Sequence, residues 1–501
     1  MATVKIIDPV TRIEGHMSVE VTIDRNRVTD ARCSGTLFRG FETILTGRQP
    51  TDAPVITQRI CGVCPIAHGM ASVNALDNLS SFKIPDNGRI LRNLTLGANF
   101  IQSHILHFYF LAAPDFVAGP AMAPWTPAWN VDIRLPAGDS IASHLVPAIE
   151  ARRRAHEMGA VFSGRMPTAH SFIPGGYTAV PSQADLDKFR SHLLWLSDFI
   201  TNTYLPDIHK LRSFYSDYLS IGGGYGNLMA FGAFDLDGAG SRKLFRRGVV
   251  EGARKGVPGE LNLARITESV THSWYDNRTD GLSPAKGKTT PLYPKKEAYS
   301  WLKAPRYNSR PYEVGPLARM WVNGDYQGGV SVLDRHLARA LEAQKVAGAM
   351  LGWLDQLNLG APVYSEQPVR KAGSGVGLTE AARGALGHWV STASGKITNY
   401  QIITPTCWNA SPRANEGEDQ DDDDDRNDGS RRNTPQNLGP MERALVGTPV
   451  LDPNKPIEVL RVIHSFDPCL SCAVHVMRPK KAPLVLNAGL AAGFNPGGTQ
   501  C

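Results

Sequence analysis

The chain is 501 residues long, 42% hydrophobic and 20% charged, the balance of a folded globular protein rather than of a disordered, collagen-like or coiled-coil one. At roughly 100–200 residues per domain, that length predicts two to four domains or one large merged unit. Its 53 basic and 47 acidic residues leave a formal charge of +6, and with no dense Lys/Arg cluster interleaved with aromatics, nucleic-acid binding has no support.

In chain order, the opening MATVKIIDPVTRIEGH has no secretory or twin-arginine signal. Residues 3–7 and 17–33 alternate apolar and polar, broken at Asp24-Arg25-Asn26, and predict a small N-terminal sheet with a hairpin. Helical periodicity marks 54–80, 88–113, 140–160, 182–219 and 333–358. Ser182 and Asp185, three apart before apolar residues, signal a helix start. Residues 93–114 carry no formal charge and are long enough to cross a membrane. The polar residues Asn93, Thr95, Asn99, Gln102, Ser103, His104 and His107 among them predict a core helix instead, so no membrane anchor is expected. Residues 222–330, rich in Gly, Pro, Tyr and Trp, predict packed loops with short strands, and strand alternation returns at 397–404. The stretch 416–428 holds nine acidic residues; lacking an alternating ligand register, it reads as a solvated surface loop within an insert at 414–436, not a calcium site. The glycine clusters at 222–226 and 373–377 do not fit a phosphate-binding loop. The fold class predicted is mainly α with a small β-containing N-terminal region over 1–53, an α-rich core over 54–475 and a C-terminal tail over 476–501.

The chemistry concentrates in four of the seven cysteines. Cys61 and Cys64 lie in RICGVCPIAH (59–68), and Cys469 and Cys472 in SFDPCLSCAVH (465–475), each pair followed by a histidine, His68 and His475. In a helix, or a turn leading into one, such spacings put both thiols and the imidazole on one face. Cys33, Cys407 and Cys501 stand alone and read as small buried hydrophobes. Two thiolate pairs make a four-sulfur site of soft ligands suited to Zn, Fe–S, Ni or Cu. The 405 positions between Cys64 and Cys469 far exceed the roughly 15–20 of a zinc ribbon, and a thioredoxin-like motif explains one pair, not two. Spacing alone leaves a catalytic metal, a structural zinc and a redox disulfide open.

These two motifs resemble the nickel-binding motifs of the large subunit of nickel–iron hydrogenases. The resemblance extends through VTRIEGH (10–16), FRGFE (38–42), EAARGALGHW (380–389), TPTCWNASPR (404–413) and ALVGTP (444–449). It is nearest to the membrane-associated, periplasmic uptake type, whose second motif ends in His. It implies the long-helix architecture of that subunit and reversible oxidation of H2 to two protons and two electrons. By resemblance, Cys61 and Cys469 are terminal nickel thiolates, and Cys64 and Cys472 bridge nickel to an iron carrying CO and two CN⁻. His68 donates to a sulfur. Glu14 is the first proton relay. Arg383 and Thr406 hold the two cyanides, Asp115 and Asp467 bracket the arginine, and Glu42 and His475 bind a Mg²⁺ or similar ion. Three departures stand out: Ala382 where the family usually has Pro, which leaves the backbone beside Arg383 less restricted, Cys407 where it usually has Thr or Ser, and the acidic insert after Arg413.

The implied partners are a small subunit carrying Fe–S clusters and the export signal, nickel-insertion chaperones, and a maturation protease that removes residues 476–501 after His475. A membrane cytochrome b is a candidate further partner. The implied location is the periplasm, membrane-associated after co-export, with the cytoplasm as the alternative. The competing readings are a hydrogen sensor, whose relatives generally lack the removable tail, and a cytoplasmic cofactor-reducing hydrogenase. A non-catalytic zinc protein related to respiratory-complex subunits fits less well, because those relatives lose the four cysteines.

Overall fold

The computed structural model describes residues 2–119, 131–136, 138–414 and 437–473, with the side chains of Cys472 and Ala473 left out. The acidic insert and the tail lie outside these residues.

Strands β1 (Thr3–Ile7), β2 (Met17–Asp24) and β3 (Arg27–Gly35) form an antiparallel sheet in that order. Along β2, Met17, Val19, Val21 and Ile23 are buried and alternate with half-buried polar residues, so one register satisfies the core. The β2–β3 turn falls on Arg25 and Asn26, both with positive φ, as the twist of a two-residue hairpin demands.

After α1 (Phe41–Leu45), the stretch expected as one helix over 54–80 is broken into α2 (Ala53–Thr57) and α3 (Pro65–Ser80). Residues 58–64, with the first cysteine motif, form the link. Pro65 at the first helical position suits a helix start, where the missing N–H has no intrahelical partner in any case. Helix α4 (Asp86–Leu106) is buried along nearly its whole length and continues through a π-turn at His107–Ala112. It is a core helix, as its internal polar residues predict, and among the described residues no helix is long and apolar enough to cross a membrane. Helix α5 (Leu145–Ser163) packs on α4 and on α6 (Gln183–Phe199), whose start is the predicted capping box of Ser182 and Asp185. Helix α7 (Leu205–Phe214) follows a second π-turn.

Between residues 222 and 330 the expected short strands are present, but that region also holds α8 (Pro316–Asn323), whose eight residues are too few to establish a period in sequence. Helix α9 (Val332–Gln356) completes the helical layer over α4. A second antiparallel sheet follows: β4 (Gly373–Ala381), β5 (Gly384–Ala393) and β6 (Lys396–Ile403). Only its last strand was legible from alternation. The glycines of β4 have a packing role instead: a methyl on Gly375 or Gly377 would overlap the Ala75 or Ala71 carbonyl of α3, so glycine lets the sheet lie directly on the helix.

Four short helices follow among the described residues: α10 (Pro405–Asn409), α11 (Pro440–Leu445), α12 (Ile457–Ser465) and α13 (Leu470–Ala473). Of these, α11 packs back on the N-terminal sheet. The Val28 N–H donates to the Thr448 carbonyl at 3.0 Å, and the Cys33 N–H to the Glu442 carboxylate at 2.9 Å.

Candidate metal centre

Three of the four motif cysteines meet in the structure. The sulfurs of Cys61, Cys64 and Cys469 all lie within 4.8 Å of one another, and those of Cys61 and Cys469 are 3.3 Å apart. All three are buried, and none of the described cysteines is in a disulfide. Ile60, with Phe41, Val63 and Ile402 against it, forms an apolar shell around them. The N–H groups of Val63 and Cys64 donate to the Cys61 sulfur at 3.2 and 3.3 Å, the arrangement that favours a thiolate next to a helix start. Cys472 belongs to α13, but its side chain and all of His475 lie outside the described residues.

The second motif is docked by the rest of the chain. Glu14 and Cys469 form a parallel bridge, and the Leu470 N–H donates to the Glu14 carbonyl at 2.6 Å. A methyl on Gly15, where φ is +83°, would overlap the Ser471 backbone nitrogen, so only glycine permits this approach. The Cys469 N–H donates to Thr406 Oγ1 at 2.9 Å, leaving the threonine proton available to another acceptor. Arg39 joins the two motifs, donating to the carbonyl of Ile60 and, at 2.7 Å, to that of Ser471. The glutamate side chain of Glu14 is half-buried and has no hydrogen bond or ion pair among the described residues.

Arg383 is buried, with Nη2 3.0 Å from Asp467 Oδ1. Burial opposes its charge, but Asp467, Cys469, Cys64 and Cys61 together outweigh burial and hold its pKa well above the usual value. Its Nε and Nη2, and both carboxylate oxygens of Asp467, lack an aligned hydrogen-bond partner among the described residues. The expected second bracket is elsewhere: Asp115 pairs with Arg12 and, at 2.5 Å, with His464. No ion pair joins it to Arg383 among the described residues. Burial pushes the Asp115 pKa up, yet Arg12 and His464 outweigh that and hold it at about 2.

His68, in the first turn of α3, has Nδ1 3.2 Å from His388 Nε2, and the chain continues from His388 to Tyr400 at 2.8 Å. Burial first, helped by Arg39 and opposed by Cys61, lowers the His68 pKa to about 4, so the imidazole is neutral at physiological pH. Glu42 lies on a cavity of about 60 Å³ whose wall includes Glu268, Lys303, Tyr275 and Cys407. Its oxygens take bonds from the Thr289 hydroxyl and, at 2.8 Å, from the Ile402 N–H. The Lys303 ammonium stands 4.0 Å from Glu42 and 3.3 Å from Glu268. Cys33 and Cys407 are buried, as lone cysteines were expected to be, while Cys501 lies outside the described residues.

Sequence reasoning missed Arg39, Arg12 and the Glu268–Lys303 pair. The signals available were the arginines' motifs: Arg39 stands inside FRGFE, three residues before Glu42, and Arg12 inside VTRIEGH, two before Glu14. Chemically, the site offers clustered soft sulfur ligands in an apolar pocket, with a buried guanidinium holding unused donors beside them. That donor set fits a thiophilic metal bearing small anionic ligands.

Comparison with known proteins agrees with this geometry. The family described as nickel-dependent hydrogenase matches residues 39–129, 121–421 and 427–475, and one described as HoxL-like matches residues 5–34. The periplasmic NiFeSe hydrogenase large subunit of Desulfomicrobium baculatum is 40% identical, over 94% of each chain. The uptake hydrogenase large subunit of Rhizobium leguminosarum bv. viciae is 33% identical, over 95% of each. The solved Ni-Fe-Se hydrogenase of Desulfovibrio vulgaris Hildenborough in the reduced state has a TM-score of 0.88 and 41% identity, covering 95% of this chain and 100% of that one. Selenium is named for two of these relatives, whereas this sequence has cysteine at all four motif positions.

Proposed function

The chain belongs to the nickel-dependent hydrogenase family as a large subunit, and from that premise we propose how its residues carry out the reversible oxidation of H2 to two protons and two electrons. The observation that carries the reading is the buried sulfur cluster of Cys61, Cys64 and Cys469, drawn from opposite ends of the chain. With Cys472, these residues would hold nickel, Cys64 and Cys472 also reaching an iron with one CO and two CN⁻. When bound, the metal pair polarises H2 and takes up its electrons, chemistry that no side chain supplies.

The protein's own groups divide the remaining work. A terminal thiolate sulfur, that of Cys61 or Cys469, would receive the two protons in turn, and the Glu14 carboxylate would carry each away from the dry pocket. The Arg383 guanidinium, steadied by Asp467, and the Thr406 hydroxyl hold the anionic diatomic ligands. Neutral His68 donates towards a sulfur. Glu42, which lines the cavity beside the centre, would bind a Mg²⁺ or similar ion together with His475. Asp115 acts at one remove, through Arg12 and His464.

Cys33, Cys407 and Cys501 stand singly in the sequence, so electrons leave through a small subunit carrying Fe–S clusters. The named relatives are periplasmic and uptake enzymes, which supports a periplasmic location. Removal of residues 476–501 is supported by the family match, which ends at residue 475. Metal analysis and infrared spectroscopy of the purified heterodimer test the reading. Nickel, iron and CO and CN⁻ stretches are expected, and zinc without diatomic bands would overturn it. Intact mass should place the C-terminus of active enzyme at His475, and full activity with Cys501 retained would refute processing.

A further inference from the structure

Arg319, on α8, is fully buried, and all five of its N–H donors are engaged. Nε and Nη2 each donate to Glu342 at 2.6 Å, and Nη1 donates to Glu380 at 2.8 Å. The remaining two reach backbone, Nη1 to the Ala381 carbonyl and Nη2 to the Ala382 carbonyl, both at 2.9 Å. The fork is itself held in place. His104 Nε2 lies 2.7 Å from Glu342, and the Phe100 ring centre is 5.0 Å from the guanidinium carbon.

Those two carbonyls belong to the residues immediately before Arg383. Ala382 and Arg383 form the two-residue link between β4 and β5, whose last pair is Ala381 with Gly384. Two-residue hairpins favour turns with positive φ, yet neither residue of this link has positive φ. The Ala382 N–H donates to no backbone group among the described residues. The link therefore takes its support from outside itself. The start of α8 is close by: a methyl on Gly315 would stand 3.2 Å from the Arg383 carbonyl.

We infer that Arg319 is the positioning residue for Arg383, gripping the Ala381 and Ala382 carbonyls so that the Arg383 guanidinium is presented beside Asp467 and the cysteine sulfurs. The inference rests on the reading of Arg383 as facing a nickel–iron centre. Two carboxylates hold the fork flat, and the fork fixes two successive carbonyls, which the three donors of a lysine ammonium on a single atom cannot reproduce.

The test uses the holoenzyme. Arg319→Lys keeps a positive charge for Glu342 and Glu380 but loses the fork. It should retain nickel within about twofold, lose about tenfold in H2 oxidation, as a small misplacement of a site group does, and shift and broaden the cyanide stretching bands. Adding Ala382→Pro, whose ring fixes φ near about −65° in the link itself, should sharpen those bands and recover most of the rate. A charge-balancing role alone would gain nothing from that proline, so absence of rescue overturns the inference. If Arg319→Lys does not accumulate as folded enzyme, Glu380→Gln, which loosens Nη1, should shift the same bands by less. Parental cyanide bands in whichever variant binds nickel also overturn it. Absence of cyanide bands in the parent enzyme would instead overturn the nickel–iron reading on which it rests.

Discussion

Cys61 and Cys64 sit at the start of α3, a helix buried along nearly its whole length and pressed against the glycines of β4. Cys469 lies before a four-residue helix, and what holds it comes from elsewhere: the Glu14 bridge, the Thr406 hydroxyl and the Arg39 guanidinium. The first motif is thus carried by a core helix, while the second, though Cys469 and Leu470 are as deeply buried, is held by hydrogen bonds from residues tens to hundreds of positions away. The difference suits the order that the proposed tail removal implies, metal loading first and closure after. Local stability differs across a fold according to burial and contacts, and the docked motif is the part that can open without unfolding α3.

The largest effect expected is common to both motifs. Cys61→Ser and Cys469→Ser each replace a soft ligand by a near-isosteric poor one, and each should abolish H2 oxidation and strip nickel from the purified enzyme. Near-parental activity in either would end the shared-centre reading, and with it any comparison of how the two halves are held.

Glu14 serves the docked motif twice, through its backbone bridge to Cys469 and, as proposed, through its carboxyl. Glu14→Gln separates the two. The bridge is kept, so nickel content should not change, whereas loss of a proton carrier should cost roughly 10²–10⁴-fold in net H2 uptake and H⁺/D⁺ exchange. Conversion between ortho- and para-H2 at the metals should continue. Uptake at the parental rate would make Glu14 a structural residue only.

Gly15→Ala tests docking itself. The new methyl meets the Ser471 nitrogen, and alanine at a φ of +83° adds roughly 1–2 kcal/mol of backbone strain. The nickel-loaded fraction should fall about tenfold while hydrogen exchange over residues 65–80 stays as in the parent. Equal loosening of both segments would mean that the two motifs form one unit.

How much of this was legible follows from the range of each contact. The cysteine pairs, the β2–β3 hairpin and the α6 capping box are local patterns, spelled out within a few residues of sequence. Arg39 bridging Ile60 and Ser471, or Arg319 gripping Ala381, are single arginines whose partners are tens to hundreds of positions away, and no local period announces them. The β4 strand was hidden for another reason: Gly373, Gly375 and Gly377 erase the alternation that would reveal a strand, and at Gly375 and Gly377 the helix beneath leaves no room for side chains. Asp115 illustrates the limit of motif transfer. It was expected to bracket Arg383, whereas it pairs with Arg12 and His464, partners that only the packing of α12 brings beside it.

That ion pair yields the smallest of these effects and the most direct contrast between the motifs. Arg12 leads into Glu14, and His464 ends α12 just before Asp467 and Cys469, so Asp115 ties together both sides of the docked motif. Arg12 and His464 hold its pKa at about 2, below the usual carboxylate range. A carboxylate with a depressed native pKa contributes stability that is complete above its unfolded value and disappears as pH falls through the native one, here about 2 kcal/mol. Hydrogen exchange, corrected for its intrinsic pH dependence, should therefore show residues 10–16 and 457–467 loosening between about pH 4.5 and pH 2.5. The first two turns of α3, which hold no carboxylate, should loosen later; Asp77, paired with Arg92 at 2.7 Å, lies near the other end of that helix. Asp115→Asn should loosen the same segments at neutral pH, because Arg12 and His464 are left without their carboxylate, and should remove their acid response. If α3 and α12 instead loosen together in the parent as the pH falls, the ion pair stabilises the whole fold, and the distinction between a built-in and a docked motif does not hold.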